Sequence, residues 1–137
     1  MILKEEKRNL FEVDNKYYLA HCISEDCAMG AGIAVDFQKK YNLRNKLRQY
    51  IIQYPTCIQI GRVFNLITKA KYWHKPTINS LKVSVIIMKE LALEKGIEFI
   101  AMPKIGCGLD RLQWGEVRET IQEVFKDTNI EILVCHL

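Results

Sequence analysis

The 137-residue chain is 49% hydrophobic and 26% charged, which excludes a disordered or collagen-like polymer and leaves length for one domain with a real core. No apolar run is long enough to cross a bilayer, and Met1-Ile2-Leu3-Lys4-Glu5-Glu6 lacks the pattern of a secretory signal. Five cysteines without framework spacing are expected as reduced thiols in a cytoplasmic setting, and a formal charge of +4 permits an anionic partner without demanding one.

Ile2 and Leu3 begin a short strand, and Asp14-Asn15-Lys16 reads as a turn. Tyr17 to Ile23 is rich in strand formers and reads as a buried strand, left through Ser24-Glu25-Asp26-Cys27. Met29-Gly30-Ala31-Gly32-Ile33-Ala34 is a small-residue turn that opens a helix to about Tyr41, with Ala34, Phe37 and Tyr41 at helical spacing. No Gly-Lys-Ser/Thr follows, so this is not a P-loop. Leu43, Leu47 and Ile51 predict a second short helix, ended by Tyr54-Pro55. Its Arg44, Lys46 and Arg48, with Lys39 and Lys40, read as a solvated surface, since no aromatic residues interleave for base stacking.

Cys57 to Ile60, Gly61-Arg62 and Val63 to Thr68 read as a hairpin, with Lys69 just past its second strand. Lys71, Tyr72, Trp73, His74 and Lys75 follow. Pro76-Thr77 opens a long helix ending before Gly96, with Ile78, Leu81, Val85, Met88 and Ala92 as its core stripe. Ile97 to Met102 is the next strand. Val117, Ile121, Val124 and Phe125 mark a last helix, and Ile130 to Leu137 a closing strand. The order β-β-α-α-β-β-α-β-α-β argues for an α/β fold with a mixed sheet covered on both faces. Ligands of such sheets bind beyond the carboxyl ends of strands, so the loops after Ile23, Thr68 and Met102 are expected to share one crevice.

The loop Pro103-Lys104-Ile105-Gly106-Cys107-Gly108-Leu109-Asp110 joins a strand to a helix. Gly106 and Gly108 can bring backbone N–H groups close to an anion, which points to phosphate or pyrophosphate; the same glycines also suit an ordinary tight turn. Asp110 at its rim would repel phosphate and is expected to address a sugar hydroxyl. Lys69 and Asp110 both fall at the carboxyl edge. A lysine near apolar walls or near other cations such as Lys71 and Lys75 can lose its proton, attack an anomeric carbon and form an imine, while a carboxylate moves the protons. Other readings are bland. His21 and Cys22 are strand neighbours on opposite faces and lack paired metal-ligand spacing, so no metal is expected. Cys107 lacks a recognisable histidine base and reads as small filler under a turn. Glu25-Asp26 reads as an exposed turn.

Three segments together resemble the macrodomain family, from about Asn9 to Leu137. Leu19-Ala20-His21-Cys22-Ile23-Ser24-Glu25-Asp26-Cys27 with Met29-Gly30-Ala31-Gly32-Ile33-Ala34 resembles its first ligand loop. Leu66-Ile67-Thr68-Lys69 with His74-Lys75-Pro76-Thr77 resembles its middle. Gly106-Cys107-Gly108-Leu109-Asp110-Arg111-Leu112-Gln113-Trp114 is the most specific segment, similar to the ALC1-like branch of terminal ADP-ribose protein glycohydrolases. The resemblance implies a three-layer α/β/α macrodomain with a mixed central sheet, a single domain over 1–137, expected as a monomer without a cofactor. It implies an ADP-ribosyl hydrolase with Lys69 as nucleophile, through a lysyl–ADP-ribose intermediate, and Asp110 as proton carrier. It implies diphosphate and distal ribose held by Lys104, Ile105, Gly106, Cys107, Gly108 and Leu109. Gly30, Ala31, Gly32 and Ile33 would face them, with His21 and Ser24 nearby and Asn9, Leu10 and Leu137 at the adenine end. The family's Gly-Asp-Leu-Phe stands here as Arg8-Asn9-Leu10-Phe11, which keeps an acceptor for the adenine amino group but loses about 1 kcal/mol of charge assistance. The implied partners are ADP-ribose and ADP-ribosylated protein or DNA, since related antitoxin macrodomains act on DNA; no membrane is implied. A non-catalytic ADP-ribose reader and an O-acetyl-ADP-ribose deacetylase are the alternatives.

Overall fold

The computed structural model describes residues 1–137. Its elements follow the expected order: β1 (Ile2–Lys7), β2 (Tyr18–Ser24), α1 (Ile33–Tyr41), α2 (Leu43–Leu47), β3 (Thr56–Ile60), β4 (Val63–Lys69), α3 (Ile78–Glu94), β5 (Phe99–Met102), α4 (Trp114–Phe125) and β6 (Glu131–His136). A 3-10 turn, Leu10–Glu12, lies between β1 and β2. The strands form one sheet in the order β1-β6-β5-β2-β4-β3. Neighbours are parallel throughout, except that β3 runs antiparallel to β4.

Strand alternation divides the core into two layers. Ala20, Phe64, Leu66, Ile132 and Val134 pack with Leu81, Val85 and Met88 of α3 and Val117, Ile121 and Phe125 of α4. Leu19, Ile23, Val63, Ile67, Leu133 and Cys135 pack on the other face with Phe37 of α1 and Leu43 and Leu47 of α2. The result is the expected α/β/α sandwich. Such central strands read as nearly continuous apolar runs because both faces are covered.

Local chemistry sets the helix ends. Thr77 and Ser80 form a reciprocal capping box at the start of α3, and Gly96, at φ +68°, follows its C-cap Lys95. Asn42 ends α1 in the left-handed region and donates its N–H to Gln38 O. Two expectations change. The first strand runs on through Lys4, Glu5, Glu6 and Lys7, because an edge strand tolerates charge. Glu5 accepts from Trp114 Nε1 at 2.7 Å and pairs with Arg118 at 3.3 Å, fastening β1 to α4. The second short helix stops at Leu47, and Ile51 is fully exposed instead of extending its stripe.

Candidate functional site

β2, β4 and β5 are adjacent and parallel, so their carboxyl ends lie side by side. The loops that leave them enclose a cavity of about 530 Å³. Ala28, Met29, Gly30, Ala31, Gly32 and Ile33 form one wall. Lys104, Ile105, Gly106, Gly108, Leu109 and Asp110 form another. Lys69, Tyr72 and Lys75 come from the end of β4 and the loop after it, and Cys22, Ile23 and Ser24 from the end of β2.

The loop after β5 owes its shape to Gly106. Its φ is +72°, and a Cβ there would stand 3.0 Å from Leu112 Cδ1. The turn is closed by Leu112 N–H to Gly106 O at 2.7 Å, Arg111 N–H to Gly108 O at 3.2 Å and Cys107 N–H to Lys104 O at 3.2 Å. The opposite wall is the start of α1. Gly32 caps it at φ +61° and ψ −154°, a conformation open in practice to glycine alone. The first N–H groups of a helix have no partner within it, and here they border the cavity. A Cβ on Gly32 would lie 3.7 Å from Leu109 Cδ1, so the two loops meet.

Three lysines, Lys69, Lys75 and Lys104, line the cavity against one carboxylate, Asp110. That balance favours an anion. Lys69 Nζ donates to Asp110 Oδ1 at 2.6 Å, and each side chain is only 13% exposed. Two charges so nearly desolvated hold each other in a fixed geometry. Lys75 Nζ donates to Leu109 O at 2.6 Å and ties the loop after β4 to the glycine loop.

Asp26 organises the third corner. Its carboxylate accepts from the Ser24 hydroxyl, from Ala28 N–H at 3.2 Å and from Tyr72 N–H at 3.1 Å. Burial works to raise its pKa, but these donors and the nearby Lys71 charge hold it below the usual carboxylate range. The exposed turn expected at Glu25-Asp26 is therefore also a clasp.

The structure brings Lys69, Asp110, Ser24, Gly30, Ala31, Gly32, Ile33, Lys104, Ile105, Gly106, Gly108 and Leu109 to the cavity wall. It does not bring His21, Asn9, Leu10, Cys107 or Leu137 there. His21 is fully buried beneath α1, stacked 3.9 Å from the Phe37 ring, with Nε2 2.7 Å from Asn65 Oδ1. Burial lowers its pKa to about 4, despite the Asn65 contact. Asn9 spends its amide oxygen on Phe11 N–H at 2.9 Å, as the cap of the 3-10 turn. Leu10 is buried in the α1-side core, while Leu137 is exposed. These two and Asn9 follow β6 and β1, whose parallel pairing puts them at the same carboxyl edge. Cys107 Sγ donates weakly to Ile105 O at 3.3 Å, and burial raises its pKa. Burial, then the Asp110 charge, pushes the cavity-lining Cys22 thiol well up. Neither thiol has the depressed pKa of an activated nucleophile. Tyr72 and Lys75 complete the wall: the sequence offers Lys75 as a cation near Lys69 and within the middle segment of the resemblance, whereas nothing beyond closeness in the chain assigns Tyr72.

No family model matches the chain. The ADP-ribose glycohydrolase OARD1 of Homo sapiens is 46% identical over 135 residues, spanning 96% of this chain and 89% of that protein, and the Bos taurus protein of the same name gives the same figures. Among solved structures, the macrodomain of Thermus aquaticus DarG matches with a TM-score of 0.87 at 21% identity, over 99% of both chains. Thermosipho africanus DarTG in complex with ADP-ribose matches with a TM-score of 0.80 at 15% identity, over 98% of this chain and 41% of that one. The two structures share the three-layer architecture, OARD1 shares nearly half its residues along almost the whole length, and the chain belongs to the macrodomain family.

Proposed function

We propose that the chain is an ADP-ribosyl hydrolase that detaches ADP-ribose from an acceptor through a covalent bond to Lys69. The observation that carries this reading is the Lys69–Asp110 contact at 2.6 Å, on the wall of a cavity otherwise built for an anion. Near half identity to a named ADP-ribose glycohydrolase supports the substrate, as does a structure of the same fold holding ADP-ribose.

In this reading the diphosphate lies between the N–H groups of the Gly106–Gly108 turn and those at the start of α1. Lys104 and Lys75 offset its charge. The adenine end points toward Asn9, Leu10 and Leu137, and the distal ribose meets Lys69. Asp110 takes a proton from Nζ, and the freed electron pair attacks the anomeric carbon. The bond from that carbon to the acceptor breaks, and its electrons leave with the acceptor. Asp110 then gives that proton to the ring oxygen and takes a second one from the nitrogen. The bond from the anomeric carbon to the ring oxygen breaks, and the sugar opens to a protonated imine. Water adds to the imine carbon, the carbon–nitrogen bond breaks, and free ADP-ribose departs. The acceptor bond is the ester to a glutamate or aspartate side chain, or the glycosidic link to a nucleic-acid base.

Incubation with an ADP-ribosyl-glutamate peptide, with and without borohydride, tests the chemistry. Release of ADP-ribose and a reduced adduct mapped to Lys69 are expected. Full turnover by a Lys69→Ala variant would overturn the mechanism. A reader module would bind ADP-ribose and give no adduct.

A further inference from the structure

Arg44, expected on a solvated helix face, turns its guanidinium onto backbone instead. The residue is half-buried and pairs with no carboxylate. Its Nε donates to Cys27 O at 3.0 Å, and its Nη2 donates to Ala28 O. One guanidinium thus takes two successive carbonyls, which its rigid fork of donors suits. α2 brings it there. Leu43 and Leu47 fix that helix in the core, and Arg44 N–H donates to Gln38 Oε1 of α1 at 2.8 Å.

The segment it grips needs holding. Cys27 and Met29 carry side chains yet sit at φ +56° and +44°, in the left-handed region, which persists only where neighbours fix it. The Cys27–Ala28 peptide is held at both ends, its carbonyl by Arg44 and its N–H by Asp26 at 3.2 Å. The next peptide is held at its carbonyl alone. C=O and N–H point in opposite directions in a trans peptide, so Met29 N–H faces away from Arg44, and it donates to nothing in the chain. Met29 lines the cavity and Arg44 does not. From Met29 the wall continues through Gly30, Ala31 and Gly32 to the start of α1.

We infer that Arg44 is a positioning residue for the ligand: by holding the carbonyls of Cys27 and Ala28 from behind, it sets the cavity wall from Ala28 to Ile33 against which ADP-ribose lies. The role in binding rests on the ADP-ribose reading of the cavity, whereas the hold on the wall stands apart from it. Lys69 and Asp110 belong to the end of β4 and the loop after β5, so loss of Arg44 acts on affinity and spares the chemical step.

The test compares Arg44→Ala with a matched control in the full chain. Arg62 makes the same kind of contact at the amino end of β2, donating from Nε to Tyr17 O at 2.7 Å and from Nη2 to Asp14 O at 3.1 Å. Amide hydrogen exchange on the free protein reads the hold on the wall. Arg44→Ala should speed exchange over residues 28–33 about tenfold, and Arg62→Ala should leave it unchanged there. Titration calorimetry with ADP-ribose reads the consequence. Arg44→Ala should weaken binding about tenfold and raise KM with kcat changed less than about twofold, Arg44→Lys should recover part of the loss through one donor, and Arg62→Ala should bind as wild type does. If Arg44→Ala does not fold, Arg44→Lys and Arg62→Lys are compared in the same way. The inference is refuted if exchange over 28–33 ignores Arg44, or if the Arg44 and Arg62 variants weaken ADP-ribose binding alike, as a purely structural arginine would. A wild-type protein that binds ADP-ribose but turns nothing over would end the hydrolase reading, while exchange and calorimetry would still decide the role of Arg44.

Discussion

Lys69 Nζ lies 2.6 Å from Asp110 Oδ1, across 41 residues of sequence. The lysine ends β4, the aspartate leaves the loop after β5, and β2 lies between the two strands. A pair reached across an intervening strand depends on both loops, so its members are expected to fail differently. Lys69→Ala should lower kcat by about a thousandfold or more, and Lys69→Arg should do the same, because a guanidinium stays protonated. Asp110→Asn should lower kcat by roughly a hundredfold to ten-thousandfold and accumulate the lysyl adduct, since release needs the proton carrier. Mass spectrometry of intact protein during turnover checks this.

Glycine substitutions should separate strain from space. Gly106 sits at φ +72°, and a Cβ added to it would stand 3.0 Å from Leu112 Cδ1, whereas Gly108 has no positive φ and nothing within 4 Å of where its Cβ would lie. Gly106→Ala should cost about 1–3 kcal/mol in stability and weaken ADP-ribose binding. Gly108→Ala should leave the melting temperature nearly unchanged. Thermal melts and titration calorimetry on both variants provide the comparison.

His21 should make the fold sensitive to acid. Its pKa falls from 6.5 in the unfolded chain to about 4 in the folded one, so the unfolded state binds the extra proton between those values. Stability from this group is complete above about pH 6.5, declines as pH falls, and is lost by about pH 4, a total of about 3 kcal/mol. Urea midpoints measured from pH 7 to pH 4 should fall across that window. His21→Gln should flatten the slope there, and an unchanged slope would mean that another group is responsible.

Asp26 is expected to act on substrate affinity more than on chemistry. Asp26→Ala removes acceptors for the Ser24 hydroxyl and for the N–H groups of Ala28 and Tyr72. Loosening that clasp should raise KM severalfold, with kcat changed by less than about twofold, corresponding to roughly 1 kcal/mol for hydrogen bonds to a charged acceptor. Steady-state kinetics separate the two parameters.

Much of the fold is legible in the sequence because its signals are local. The runs of Tyr18–Ser24 and Val63–Lys69, and the spacing of Leu81, Val85 and Met88, each name an element within a few residues. The glycine loop and Lys69 are legible through their motifs. What escapes depends on pairs far apart in sequence. The charged half of β1 is stabilised by Trp114 and Arg118, over 100 residues away. The motif around His21 points to the ligand, but its ring stacks on Phe37 and meets Asn65, 44 residues on. The clasp at Glu25 and Asp26 is hidden for the same reason: their carboxylates accept from the N–H groups of Tyr54 and Tyr72, 29 and 46 residues from them.

The antiparallel edge of the sheet bears on how the protein comes to be active. β3 and β4 are joined by a two-residue turn, so the strand carrying Lys69 belongs to a hairpin that can zip up from local contacts, while β2 and β5 must close long loops before they pair. Lys69 is thus expected to be mounted early in folding and Asp110 late. A chain caught midway would hold Lys69 without Asp110, so the pair is expected to form only once the centre of the sheet is complete.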